Sequence, residues 1–413
     1  MHNIKPGLIN YCQICKSKRI KNILNLGHQP LADALTNIND KNNETEFFPI
    51  QIGLCEKCIL VQNNFIVDDR KLYKKNYHYR PGITKDVLKN FSEMSAKLVN
   101  LYKLNSKSII ADIGCNDGSL LNEFKKYKVK KLIGIEPTDT VRFAKKRKIK
   151  VVQNFMNLKS AKAATKYFGK VDLITTTNVF AHTNKLTDFL KGIKKLIKKD
   201  GIFIIENHYL ADIVKKKQFD SFYHEHLRTY SLTSLIKLLS FYDFHIVDAY
   251  TSDRYGGNIQ AHFSLTKFKR SSRINKILSH EIKMGLDKEK TYIKFKNEIE
   301  MIDKKIASFL EKNRGKKIIA KAFPARASIL LHYFSSIKKN IEFIAEQPTS
   351  LKLNKYAPGT TIPIISSKFL KKYKPDIMII LAWHLFDTIY KKWKSQLKGT
   401  KYLKILPEVK VYK

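Results

Sequence analysis

The segment FDSFYHEHLRTYS, residues 219–231, sets Tyr223, His224, Glu225 and His226 side by side among aromatic residues. A histidine near its ordinary pKa accepts a proton at neutral pH, and an adjacent carboxylate or phenol can orient it or stabilise charge that develops beside it. Acid–base work is the first reading of this tetrad. Metal binding is a second reading: H-E-x-x-H sets two imidazoles one helical turn apart, whereas H-E-H puts both on one face only in an extended chain. Hydrogen bonding without chemistry is the third. Tyr77 and Tyr79 form another pair. In an extended chain they share a face, fit either to line a sugar pocket or to pack against the preceding residues.

Cys12 and Cys15 make one C-x-x-C knuckle, and Cys55 and Cys58 make a second, 39 residues intervening. Two such knuckles supply the four thiolates of a tetrahedral structural zinc site. A redox pair would account for one knuckle but not for two, and iron is the other metal such a set could hold. Zinc would supply folding energy that so small a module lacks from burial alone. The long stretch of chain between these cysteines and the YHEH segment leads to the expectation that metal loss lowers folding yield more than it alters the chemistry.

The stretch IIADIGCNDGSLL, Ile109 to Leu121, is an apolar run that ends at Asp112, turns through Gly114 and Gly118 and enters a helical pattern. A first parallel strand delivers its end to a ligand in this way. Neither G-x-G-x-x-G nor G-x-x-x-x-G-K-[ST] is present. Acidic Asp112 and Asp117 flank the glycines instead, which disfavours a pyrophosphate and suits the cationic methionyl end of S-adenosylmethionine. A second apolar run closes on Glu136, 22 residues past Gly114, where a carboxylate can accept hydrogen bonds from a ribose diol.

These groups need a parallel sheet to position them. Strands are predicted at 108–112, 131–136, 149–152, 171–177 and 201–206, with helices between most of them. The fourth runs out into Asn178 and then His182, and the fifth into Glu206, Asn207 and His208. The Gly-Gly pair of SDRYGGNIQAHFS predicts a turn into an added antiparallel strand, and Leu286 to Phe309 reads as an amphipathic helix burying one stripe. A last strand-helix-strand region starts near residue 314 without a cofactor glycine loop. The expected organisation is α/β: a zinc-binding module over 1–70, a linker with the tyrosine pair and a helix over 71–105, a Rossmann-like domain over 106–270, an amphipathic helical segment over 271–313 and a degenerate Rossmann-like, substrate-holding domain over 314–413.

At 413 residues the chain is long enough for two or three cores. No apolar run reaches membrane-spanning length and the first residues lack a secretory hydrophobic region, so a cytoplasmic protein with no membrane partner is expected. The formal charge of +42 raises nucleic-acid binding as an alternative function. Only 11 of the 78 basic residues are arginine, however, and the lysines are scattered over every region. Specific nucleic-acid contacts draw on arginine, so no specific nucleic-acid partner is expected.

The order of C-x-x-C, C-x-x-C, YHY, DIGCNDGSLL, NVFAH, FYHEHLRTYS, a Gly-Gly turn, PGTTIPI and PDIMIILAW resembles the zinc-containing sugar C-methyltransferases that act at C3 of nucleotide-linked 4-keto-deoxyhexoses. The resemblance spans nearly the whole chain. It implies a central class I methyltransferase domain using S-adenosylmethionine, structural zinc on Cys12, Cys15, Cys55 and Cys58, and a C-terminal domain that helps hold the nucleotide sugar; a monomer is expected separately. The resemblance further implies cofactor contacts at Gly114, Asn116, Gly118 and Glu136, and Asp112 and Asn178, at the ends of the first and fourth strands, are expected to join them. His226 would be the base, with Tyr223, Glu225 and His182 around it and Tyr77 or Tyr79 near the sugar. The family pattern has histidine, serine and arginine at the places of Tyr255, Asn258 and Gln260, and a glycine-rich loop in place of KAFPARAS. These departures are expected to bear on the substrate, and the alternative is methylation of a different atom or substrate of nucleotide-sugar or polysaccharide biosynthesis. A scaffold without catalysis is the remaining alternative.

Overall fold

The computed structural model describes residues 4–40, 45–72, 80–83 and 85–413. Near the N-terminus, β1 (Ile20–Pro30), β2 (Phe47–Cys55) and β3 (Val61–Asn63) form antiparallel pairs that bring the two cysteine knuckles together. Helix α1 (Lys85–Tyr102) then leads into the central sheet. Its parallel strands are β4 (Ile109–Ile113), β5 (Lys131–Ile135), β6 (Lys150–Val152), β7 (Val171–Thr177) and β8 (Ile197–His208). A two-residue strand, β9 (Arg228–Thr229), follows, and then β10 (His245–Ser252) and β11 (Asn258–Ser264).

The central order is β10-β11-β8-β7-β4-β5-β6, with β11 antiparallel to both neighbours. Every residue of β4 is buried, because a parallel strand has helices on both faces. Ile109, Ala111 and Ile113 join one core while Ile110 joins the core beneath α1. Strand order reverses between β4 and β7, which opens a crevice beyond their carboxyl ends.

Helix α2 (Glu289–Glu311) buries Tyr292, Phe295, Ile299, Ile302, Ile306 and Leu310, the stripe expected of an amphipathic helix. The C-terminal sheet contains β12 (Ile318–Lys321), β13 (Ile344–Glu346), β14 (Lys355–Tyr356), β15 (Pro363–Ser366), β16 (Ile377–Ile380), β17 (Lys401–Lys404) and β18 (Lys410–Tyr412). Its order is β18-β17-β16-β12-β13-β15-β14, extended by the two-residue strand Thr36–Asn37 from the N-terminal region. In return, β9 pairs with β3, so the chain just after YHEH is an edge strand of the N-terminal sheet. One apolar core runs through the three larger sheets, from Ile52 through Phe180 to Ile379. Among the described residues no helix is long and apolar enough to cross a membrane.

Candidate active site

The loop after β4 is shaped by close packing. Gly114 has φ +71°, its amide donates to the Ile135 carbonyl at 2.7 Å, and a Cβ there would stand 2.4 Å from a methyl of Val179. Only glycine fits that position. The amide of Asn116 donates to Glu136 Oε2 at 3.1 Å, while the amide and hydroxyl of Thr138 donate to Glu136 Oε1 at 2.9 and 2.6 Å. Loop and carboxylate are thus locked together at the mouth of the switch point. Asp112 is fully buried and accepts from the Thr175 hydroxyl at 2.7 Å; burial pushes its carboxyl up to about 7.

Asp117 and Gly118 serve the loop differently from the sequence expectation. Asp117 accepts from the Ser119 amide and hydroxyl at 3.1 and 2.6 Å and from the Gly82 amide at 3.0 Å, and it pairs with Arg147 at 3.2 Å. Its carboxylate is spent on tying residues 80–83 to the loop and does not line the cavity. Gly118, also outside the cavity lining, is required where a Cβ would meet Ala144 and Ile149.

A cavity of about 880 Å3 extends from Gly114, Asn116 and Glu136 past Asn178 to His182, Tyr223, Glu225 and His226, and on to Arg326, Lys352 and His384. Asn178, at φ +54°, holds a buried side-chain oxygen without a hydrogen-bond partner. His226 Nδ1 donates to the Ser221 carbonyl at 2.8 Å, which leaves the lone pair on Nε2. Burial keeps this imidazole well below its ordinary pKa, and the neighbouring imidazoles of His182 and His208 add to the effect. Tyr223 lies against it, ring centres 4.0 Å apart, and His182 stands perpendicular to it at 5.0 Å. Glu225 does not orient His226; that role falls to the Ser221 carbonyl. Its Oε2 lies 3.7 Å from His182 Nδ1. Burial lowers His182 to about 4, and burial aided by Asp33 raises Glu225 to about 8. Tyr77 and Tyr79 lie outside the described residues.

One lining residue, Arg326, and the partners that hold it escape a linear reading. Arg326 makes a two-pronged contact with Asp220, at 2.7 and 2.6 Å, and Trp383 Nε1 donates to the same carboxylate at 3.0 Å. The cation comes from KAFPARAS and the indole from the end of PDIMIILAW, so a missing glycine loop and a strand terminus were the available signals. Of the three positions that depart from the family pattern beside the Gly-Gly pair, only Tyr255 reaches the cavity. Asn258 and Gln260 donate to Glu206 at 3.3 and 2.9 Å, and Arg254 supplies the guanidinium to that carboxylate at 2.8 Å.

The four cysteine sulfurs lie within 4.8 Å of one another, with Cys12 and Cys58 at 3.4 Å and Cys15 and Cys55 at 3.5 Å. Metal–sulfur bonds of about 2.3 Å in a tetrahedron require sulfur separations of about 3.8 Å, so the set fits zinc. No other such ligand group occurs among the described residues. S-adenosylmethionine also fits: the loop at Gly114 admits no side chain, a carboxylate closes the second strand, and Asn178 holds an unpartnered oxygen in the same cavity.

The strand order, the switch-point loop and the acid ending β5 define a class I, S-adenosylmethionine-dependent methyltransferase. Residues 12–73 match a zinc binding domain, 80–249 a methyltransferase domain and 253–407 a C-methyltransferase C-terminal domain. The chain is 25% identical to C-methyltransferase NovU of Streptomyces niveus over 409 residues, 98% of this chain and 97% of that protein. An S-adenosylmethionine-dependent methyltransferase structure from Clostridium acetobutylicum is 16% identical, covering 44% of this chain and 92% of its own, with a TM-score of 0.35. Magnesium protoporphyrin IX methyltransferase of Synechocystis is 14% identical, covering 43% and 83%, with a TM-score of 0.34. The chain is an S-adenosylmethionine-dependent C-methyltransferase with an N-terminal four-cysteine zinc module.

Proposed function

We propose that the enzyme methylates C3 of a nucleotide-linked 4-keto-deoxy sugar, with His226 as the base. The observation that carries this reading is the tautomer of His226. Its Nδ1 proton is committed to Ser221, so Nε2 offers a lone pair inside a cavity that joins the cofactor loop to the C-terminal domain. A ketone at C4 makes the C3 proton acidic, and removing it leaves charge on the C4 oxygen that hydrogen-bond donors stabilise. Glu225, a neutral acid below about pH 8, is one such donor, and Tyr223 is another. Asp112, Gly114, Asn116, Glu136 and Asn178 hold S-adenosylmethionine, which supplies an electrophilic methyl group when bound.

The nucleotide is assigned to the C-terminal domain. There the Phe323 amide donates to Glu346 Oε1 at 2.6 Å, as the Asn116 amide does to Glu136. Each acid ends the second strand of its sheet half and is anchored by the loop after the first. Residues 350–352, beyond Glu346, line the same cavity. The domain division over 1–70, 71–105, 106–270, 271–313 and 314–413 follows from this distribution of tasks. Four cysteines given to zinc and the fifth, Cys115, a thiol, with no disulfide among the described residues, suit a reducing compartment, and we place the enzyme in the cytoplasm.

The test offers 4-keto-6-deoxyhexoses linked to dTDP, UDP and GDP together with carbon-13 methyl-labelled S-adenosylmethionine, and reads the product by NMR. The expected product has a new carbon–carbon bond at C3. A labelled methyl on oxygen would overturn the mechanism. A methyl on the carbon at the other side of the ketone would keep the enolate chemistry and reassign the atom.

A further inference from the structure

His208 ends β8 and stands two residues beyond Glu206, on the same face of the strand. Its ring lines the cavity, 5.3 Å from the ring of His226, and stacks on Tyr255 at 6.1 Å with 23° between the planes. His208 is thus held between the base and the one position beside the Gly-Gly pair that both departs from the family pattern and reaches the cavity. Its Nδ1 is buried and meets no hydrogen-bond partner.

That orphan nitrogen determines the tautomer. Orphaned buried N–H groups are the rarer case in folded proteins, so the neutral ring leaves a lone pair and not a proton on this nitrogen. Burial and the nearby Arg326 and His384 keep the ring neutral, so it carries one proton. The proton therefore sits on Nε2. His226 has the opposite arrangement, with its proton on Nδ1 and its lone pair on Nε2. Two adjacent neutral imidazoles in opposite tautomers, with ring centres 5.3 Å apart on the wall of one cavity, make one acceptor and one donor side by side.

We propose that His208 is a second catalytic imidazole, a neutral N–H donor to the sugar oxygen beside the carbon that His226 deprotonates. This rests on the keto-sugar reading above. The carbon-bound proton passes to His226 Nε2, the C–H electron pair becomes the carbon–carbon double bond, and the carbonyl π pair moves onto the oxygen. His208 hydrogen-bonds that oxygen and neither gains nor loses a proton. Tyr255, stacked on the imidazole, is a positioning residue that fixes the plane of the donor.

The test is deuterium exchange at the sugar carbon in D2O, followed by NMR with S-adenosylhomocysteine present, on the 4-keto-6-deoxyhexoses linked to dTDP, UDP and GDP. Removal of one preorganised oxyanion donor costs about 10²- to 10³-fold. His208→Phe is expected to exchange more slowly by that factor, with KM little changed. His208→Gln keeps an N–H and is expected to recover at least roughly tenfold over the phenylalanine variant. Unchanged calorimetric binding of S-adenosylhomocysteine in both variants would show that the fold is kept. Exchange at the wild-type rate in His208→Phe would overturn the proposal, as would a loss confined to KM with no recovery in His208→Gln. If the wild-type protein exchanges no sugar proton, the keto-sugar reading falls and this role falls with it. Wild-type exchange combined with a fully active His208→Phe removes only the role of His208.

Discussion

A side chain that takes a proton from carbon must be unprotonated in the resting enzyme and must have its lone pair fixed in direction. Burial gives His226 the first property and the Ser221 carbonyl gives it the second. His226→Ala is therefore expected to lose about 10²- to 10⁴-fold in kcat, the scale of a positioned general base, while calorimetry finds S-adenosylmethionine binding unchanged. Glu225 behaves in the opposite sense. Its folded pKa is raised to about 8 by burial, first, and then by Asp33, with Lys352 opposing and His182 facing it at 3.7 Å. A group raised in this way contributes stability that is complete below its unfolded pKa of about 4.3 and is lost as pH rises through the folded value. Wild-type melting temperature should thus decline from about pH 5 to 8, and Glu225→Gln, which mimics the neutral acid, should flatten that slope. In the rate profile, kcat should fall above about pH 8 in the wild type, whereas the glutamine variant should lack that limb. A variant whose profile keeps the limb would show that another group titrates there.

At the scale of elements, what the sequence discloses is local periodicity and local turns. The apolar run that β4 carries up to Asp112, its glycine loop and the acid after β5 were legible because each is contiguous and the fold uses them in chain order. The direction of a carboxylate inside the loop was not legible. Asp112 and Asp117 look equivalent in the text, yet one faces the cavity and the other is consumed by Ser119, Gly82 and Arg147. Asn258 and Gln260 misled for the same reason, since only the pairing of β11 with β8 reveals that both serve Glu206. The loop gives a graded expectation. Gly114→Val would drive a side chain into Val179 at a left-handed φ and should abolish measurable cofactor binding. Glu136→Ala frees the Asn116 amide and Thr138 and should weaken binding by about tenfold to a hundredfold, 1.4 kcal/mol corresponding to each tenfold. Equal calorimetric affinities in the two variants and the wild type would place the cofactor elsewhere.

The molecule as a whole converges on residues 218–230. Arg326 and Trp383 hold Asp220 from the C-terminal domain, while the N-terminal module grips the other end of the segment. Its hold is extensive: the Asn63 amide and Gln13 Nε2 donate to the Leu227 carbonyl at 3.0 and 3.1 Å, Arg228 donates to Gln13 Oε1 at 2.8 Å, and His224 Nε2 donates to the Phe48 carbonyl at 3.0 Å. Distance along the chain suggested that the zinc module and YHEH act independently, and sequence offers no sign of a strand pairing over so many residues. The structure makes them neighbours. Gln13 lies inside the first C-x-x-C knuckle, so the metal that fixes Cys12 and Cys15 also fixes the residue that grips Arg228 and Leu227. Zinc loss is therefore expected to reach the chemistry as well as the folding yield. Elemental analysis should find one zinc per wild-type chain and none in Cys55→Ser. At a temperature where that variant stays folded by circular dichroism, its sugar-proton exchange should fall by at least about tenfold through displacement of His226. Binding of S-adenosylmethionine should hold nearly constant, because the hydrogen bonds that shape the β4 loop run to Ile135 and Glu136. Full exchange in a zinc-free, folded protein would show that β9 and Gln13 keep the catalytic segment in place without the metal.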